Sequence, residues 1–279
     1  PHAARAWSGG GAAMVPRWLL GLLLPSLVAG LRQVVVFGAS GKTGRLVVDG
    51  LLARNDTQVI AAVRDLASGR AALGPDRRGL RVLPCDISRD SPARIAALAA
   101  GADAAVCAAS YSPKRGRLPD PAGAFKVDFR GTTRAVDACA DAGVGRFVLV
   151  SSLLTNGAAA GQALNPQYLL LNSFGGILLC KRRAELALQR RAGLDYTIVR
   201  PGGLTDREPT GEVLYAAQDS LFGGGISRAQ VADVVVKACF AEEARNKVVE
   251  IVSSTQATPV AFEDALRDIP TESAARLNL

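Results

Sequence analysis

The residue types and spacing with the most specific chemistry in this chain are Gly38-Ala39-Ser40-Gly41-Lys42-Thr43-Gly44. Glycines at 38, 41 and 44 suit a backbone that must turn tightly and approach an anion. Gly38 permits the turn, Gly41 opens backbone N–H groups to a pyrophosphate, and Gly44 lets a following helix pack closely. A helix N-terminus at this point would add unpaired N–H donors and a positive dipole end. The spacing GxxGxxG is not that of a P-loop, which needs GxxxxGK[ST]. A purely structural glycine turn is the alternative. Arg64 stands about twenty residues on, where a chain that binds NAD usually carries an acid for the ribose hydroxyl. An arginine there suits a 2′-phosphate, so the expected cofactor is NADP(H), with NAD the alternative. Asp86 is placed to meet the adenine, and the small Ala108 and Ala109 leave room for the adenine ribose.

These residues need elements to hold them. Gln33–Phe37 is a β-branched apolar run that feeds directly into the glycines, and a helix-period stretch follows. Further strands are expected at Gln58–Val63, Leu80–Pro84, Asp103–Ala109, Arg146–Ser151, Asp195–Arg200 and Lys247–Val252. Helices are expected at Phe125–Gly143, Phe174–Ala192 and Arg228–Phe240. Repeated βα units with right-handed crossovers give an α/β, doubly wound parallel sheet, a Rossmann fold of about seven strands with a small C-terminal substrate lobe. No linker divides residues 31–279, which read as one domain. Asn156–Asn172 is a long, partly apolar insertion at the carboxyl end of the fifth strand, where it would form a lid; plain packing is the alternative. In Lys181-Arg182-Arg183, Lys181 is expected to turn inward and both arginines to face solvent.

Composition narrows the class. The chain has 279 residues, 49% hydrophobic and 21% charged, too apolar for disorder. The net charge of +8 comes without a basic run or base-stacking aromatics, so nucleic-acid binding is not expected. Five cysteines without a CxxC pair, and a single histidine at His2, exclude a metal site by spacing and suit a reducing compartment. Residues 1–30 stand apart, with no acid before Asp49. Their apolar stretch Trp18–Leu31, interrupted by Pro25, would span about 21 Å as a helix, short of a bilayer core of roughly 30 Å. A targeting remnant, a helix that lies in a membrane interface or docks on a protein partner in a membrane complex, or a segment packed on the domain are the readings, and no transmembrane span is expected.

Together, the glycine turn, VLVSSLLTNGAAAGQALNPQYLLLNSFGGILLCKRRAE, DYTIVRPGGLTD, PTGEV and GGISRAQVAD resemble the atypical short-chain dehydrogenase/reductase family of the NAD(P)-binding, NmrA-like type. The stretch from Gln33 to Asp264 is similar to a plastid and cyanobacterial subgroup. That subgroup is related to the NAD(P)-binding component of the chloroplast inner-envelope translocon and to flavin-reductase-related proteins. The resemblance implies a plastid location, on the stroma or the stromal face of the thylakoid. It implies dinucleotide contacts at Gly38, Ser40, Gly41, Lys42, Thr43 and Gly44, and a nicotinamide beside Pro201 and Gly202. Lys181 would reach the nicotinamide ribose, and Ser152, with its register open by one to Ser151, would position a substrate carbonyl. Active relatives carry a proton-donating Tyr four residues before the Lys; here Ile177 stands there. Three expectations follow from that departure. The chain reduces a small planar acceptor such as a quinone or flavin without a Tyr; or Tyr168, Tyr111 or Ser152 takes its place; or the chain binds the cofactor without turnover, as an accessory subunit.

Overall fold

The computed structural model describes residues 31–74, 77–112, 120 and 122–272; the expectations for residues 1–30 lie outside them. The strands are β1 (Arg32–Phe37), β2 (Thr57–Val63), β3 (Leu80–Pro84), β4 (Ala104–Cys107), β5 (Arg146–Val150), β6 (Asp195–Pro201), β7 (Gly203–Thr205), β8 (Glu212–Ala217), β9 (Gly225–Ser227) and β10 (Lys247–Ser254). The α-helices are α1 (Lys42–Ala53), α2 (Leu66–Leu73), α3 (Pro92–Ala99), α4 (Thr132–Asp141), α5 (Pro166–Ser173), α6 (Ile177–Arg190), α7 (Arg228–Ala238) and α8 (Phe262–Arg267). One eight-stranded sheet runs β3-β2-β1-β4-β5-β6-β10-β8, and β7 pairs with β9 in a small sheet of its own.

Both faces of the large sheet are buried. Side chains alternate across a strand, so Val34 and Val36 pack with Val47, Leu51, Val231 and Val235 of α1 and α7. Val35 and Phe37 point the other way, into a core with Ile95, Ala135, Cys139 and Leu188. A strand covered on both sides must be apolar throughout, and this is why the parallel strands stand out as continuous runs. The chain order reverses at β1, which pairs in parallel with both β2 and β4. A reversal of this kind opens a crevice at the carboxyl ends of the strands.

The doubly wound parallel sheet matches the expectation, and five details correct it. Three strands, β7, β8 and β9, add to the seven expected. The edge strand β8 runs antiparallel to β10, and none of its residues is fully buried, unlike those of the central strands. The fourth strand is shorter than expected, at Ala104–Cys107. The helix expected over Phe125–Gly143 begins as a π-helical segment, Phe125–Gly131, before α4 takes over. The helix expected over Phe174–Ala192 starts only at Ile177, because Gly175 and Gly176 adopt left-handed φ of 80° and 69° and separate it from α5. Asn172 closes that break by accepting from the N–H groups of Leu178 and Leu179. The expected lid thus carries a helix of its own, seated by Tyr168 against Leu153, Leu154, Leu178 and Val252. Among the described residues no helix is long and apolar enough to cross a membrane.

Candidate functional site

The crevice at the ends of β1 and β4 has a volume of about 170 Å³ and opens to solvent. Of the residues singled out by sequence, it brings together Gly38, Ser40, Gly41, Arg64, Asp86, Ala108 and Ala109. Lys42, Thr43, Gly44, Lys181, Pro201 and Gly202 do not line it.

The glycine turn is built by close backbone contact. Gly38 has φ +76°, and a Cβ there would lie 2.7 Å from the Ala109 backbone. A Cβ on Gly44 would lie 2.2 Å from the Gly38 carbonyl oxygen, so α1 rests directly on the turn. The Gly41 N–H donates back to the Gly38 carbonyl at 3.0 Å and closes the turn. The open donors belong instead to the first turn of α1. Gly41 offers no side chain to cap it, and no acid stands in that turn. By contrast α2, α3 and α7 are capped by Asp65, Ser91 and Ser227. A backbone cradle with no room for a Cβ, facing uncapped helix donors, fits a diphosphate.

The far end of the crevice is polar at its rim. The exposed Arg64 guanidinium makes no ion pair among the described residues. The carboxylate of Asp86 accepts from the Ser88 N–H at 2.9 Å and from its hydroxyl at 2.6 Å, which fixes the turn after β3. Cys85 lines the same wall; burial, with Asp90 beside it, pushes its thiol up to about 12. It is a neutral surface at physiological pH. All five cysteines are free thiols and buried.

Lys181 turns inward as expected, with its side chain 12% exposed, and meets Asp128 at 3.0 Å. Asp128 is fully buried in the π-helical segment, and it also accepts from the Ser110 hydroxyl at 2.6 Å and the Tyr111 N–H at 2.9 Å. Ser110 lines the crevice, so one carboxylate links Lys181 to its wall. π-turns interrupt helices most often at functional sites. Sequence reasoning passed over Asp128 and Ser110, because a lone acid in a helical stretch carries no signal until the turn widens.

The proton donors weighed from sequence are mostly occupied. Tyr168 is buried beside Gly157. The Tyr111 hydroxyl accepts from the Asp120 N–H at 2.6 Å, and its ring lies over Gly123. Ser151 donates to Glu185 at 2.6 Å, which leaves Ser152, half-buried, as the serine not committed to that acid. Lys42 pairs with Asp206 at 2.5 Å, and Asp206 also holds Arg228 at 2.6 Å. Pro201 closes β6, where its carbonyl accepts from the Leu153 N–H.

A buried charge cluster gathers around Arg200 of β6, with no signature in the sequence. Arg200 is fully buried and donates to Glu185 at 2.7 and 3.0 Å, and to Asp219 and Glu250 at 2.8 and 3.2 Å. Glu250 accepts from the N–H groups of Asp219, Ser220 and Leu221, which ties the loop after β8 to β10. Arg182 joins Glu185 at 3.2 Å and is only 19% exposed, so it does not face solvent as expected; Arg183 does. Burial alone would raise the Glu185 carboxyl, but Arg200, Ser151 and Arg182 together hold it below the usual glutamate range. Among the described residues no cluster of His, Cys, Asp and Glu could hold a metal.

Comparison with known proteins follows the same lines. A family model described as NAD(P)H-binding matches residues 38–242. The chain is 40% identical over 238 residues to the chloroplastic protein At2g34460 of Arabidopsis thaliana, covering 85% of this chain and 82% of that one. It is 33% identical to the chloroplastic Protein TIC 62 of Oryza sativa subsp. japonica over 86% of this chain, and spans 50% of that protein's length. A solved structure described as a putative NAD-dependent epimerase/dehydratase from Bacillus halodurans superposes with a TM-score of 0.68 at 26% identity, covering 85% of this chain and all of that one.

Proposed function

The chain belongs to the NAD(P)H-binding family, and from that premise we propose that it is an NADP(H)-dependent reductase of a small planar acceptor, such as a quinone or flavin, working in a plastid. The observation that carries the proposal is the crevice between an uncapped α1 N-terminus, a glycine turn without room for side chains, and Arg64. The bound dinucleotide supplies a hydride. The first turn of α1 holds the diphosphate by its N–H groups, and Arg64 meets a 2′-phosphate with paired hydrogen bonds. Asp86 sets the adenine, and Ala108 and Ala109 give the ribose room. Lys181, fixed by Asp128, orients the nicotinamide ribose, with Pro201 and Gly202 beneath the ring.

An acceptor of this class suits the chemistry present. Ile177 has no proton to give, and a quinone or flavin that takes a hydride can draw its proton from solvent. NADPH oxidation against a panel of quinones and flavins tests the proposal: turnover above background supports it, and none across the panel rejects catalysis.

Ile177 also favours a second reading, an accessory subunit that binds NADP(H) without turnover in a plastid membrane complex, docked through residues 1–30 on the stromal face of the thylakoid. Deleting residues 1–30 separates the two. Loss from the membrane fraction supports docking, and unchanged fractionation counts against it.

Two binding predictions follow from the assigned roles. Arg64→Ala should weaken NADPH by roughly ten- to a hundredfold, the size of charge-assisted hydrogen bonds worth about 1.5–3 kcal/mol, and leave NADH nearly unchanged. Competitive titration of the two nucleotides checks it; equal losses would assign Arg64 to solvent. Lys181→Ala should weaken NADPH by about tenfold, the loss of one charge-assisted contact, and leave 2′,5′-ADP untouched, because that fragment ends at the adenosine 5′-phosphate and lacks the nicotinamide ribose. Weakening of both ligands would show a general structural effect.

A further inference from the structure

From Ser151 to Cys180 the chain has no Asp, Glu, Lys, Arg or His. In a protein with 21% charged residues, this uncharged run covers the turns after β5, all of α5 and the start of α6. A run of this kind would ordinarily be core, yet its large side chains stand in the open. Leu164 is 86% exposed, Leu170 60%, Leu169 52% and Leu179 50%, with Phe174 at their edge. α5 is apolar on both sides: Tyr168 and Leu171 seat it on the molecule, and Leu169 and Leu170 face away.

Charge around this face is sorted by sign. Leu179 and Arg183 lie four residues apart, on the same outer stripe of α6. Arg183 reaches over the ring of Phe129 in the neighbouring π-helical segment, and Arg130 of that segment sits over the exposed Phe125. Across Ala122–Gly131 and Phe147–Arg190 the only acids are Asp128 and Glu185. Both are fully buried and turned inward. The exposed charges of these segments are therefore cations, set among exposed leucines, phenylalanines and the neutral Gln167 and Ser173. Lys126 is matched by Asp120, while Arg130 and Arg183 make no ion pair with an acid among the described residues.

We propose that this face is an interfacial surface that lies on an anionic lipid membrane, with Leu164, Leu169, Leu170 and Leu179 in the headgroup region and Arg130 and Arg183 on the anionic lipid. Aliphatic leucine beside Lys and Arg is the composition of helices that lie in the plane of a bilayer. Protein anchors favour Trp and Tyr and disfavour leucine. A second copy of this chain would bring Arg130 and Arg183 against cations of the same face, a like-charge contact that costs affinity. The proposal is independent of the nucleotide reading, since it rests on side chains outside the crevice.

The test uses the full chain with Leu170→Cys carrying an environment-sensitive fluorophore. The five native cysteines are all buried, so labelling goes to position 170. Vesicles of phosphatidylcholine with phosphatidylglycerol should shift the emission to the blue, and salt should weaken the shift. Vesicles of phosphatidylcholine alone should shift it much less. In flotation, L169E/L170E should lower the fraction bound to anionic vesicles by about tenfold, with an unchanged thermal unfolding profile because both positions are exposed. A label that stays in water while the chain floats would place the contact elsewhere and overturn the proposal. So would failure to float at all, or a blue shift that appears on concentrating the protein without lipid, which assigns the face to a second copy.

Discussion

Gly44→Ala is expected to strip the chain of most of its affinity for a dinucleotide while leaving it folded. The added Cβ would sit 2.2 Å from the Gly38 carbonyl oxygen, and neither atom belongs to a side chain that could swing away. Relief comes only if α1 lifts from the glycine turn, which moves the uncapped N–H groups of its first turn off the diphosphate. Overpacking of this kind costs about 1–3 kcal/mol, which corresponds to roughly ten- to a hundredfold in Kd. Isothermal titration of the variant with NADPH measures it, with thermal unfolding as the control. Unchanged affinity would mean that the first turn of α1 does not hold the ligand. A variant that also loses its folded state would leave Gly38, under the same constraint from Ala109, to be tested in its place by Gly38→Ala.

Arg200→Met should have the largest effect on stability. Arg200 is fully buried among Glu185, Glu250 and Asp219, and removing it leaves the buried Glu250 without its cation and Glu185 with Arg182 alone. Breaking a buried pair in this way costs about 3–5 kcal/mol. The midpoint of urea unfolding should fall accordingly, and a change within experimental scatter would show that the cluster is dispensable. The same cluster sets an acid limit. The Glu185 carboxyl is held below the usual glutamate range in the folded chain, so it binds fewer protons than in the unfolded chain. Its contribution is fully present above the ordinary glutamate range and is lost as pH falls through the folded value. Glu185→Gln should therefore flatten the loss of stability below that range, while leaving the slope near neutrality unchanged.

How much was legible in the sequence depended on how local the cause was. The run QVVVF followed by glycines announced β1 and its turn, because a strand buried on both faces must be apolar and because each glycine answers a contact within a few residues. The crevice residues Arg64, Asp86, Ala108 and Ala109 were legible for the same reason: each follows the end of a parallel strand, where the topology opens. The buried cluster was not legible. Arg200 and Glu250 meet across β6 and β10, fifty residues apart, and nothing in either strand marks them as partners. Arg182 looked like a solvent-facing neighbour of Arg183 until Glu185 drew it inward. Asp128 was hidden by the π-helical segment, since a regular helical period gives no cue that this acid faces Lys181 and Ser110. The edge strand β8 escaped because its short apolar run EVLYAA does not by itself tell strand from helix.

Calorimetric titration of the full chain with NADPH asks whether the crevice at β1 and β4 holds the diphosphate of NADP(H) on the first turn of α1. A saturable one-site heat, weaker with NADH and much reduced in the Gly44→Ala variant, is the result the account expects. No heat with either nucleotide, under conditions where the chain is folded, would contradict it.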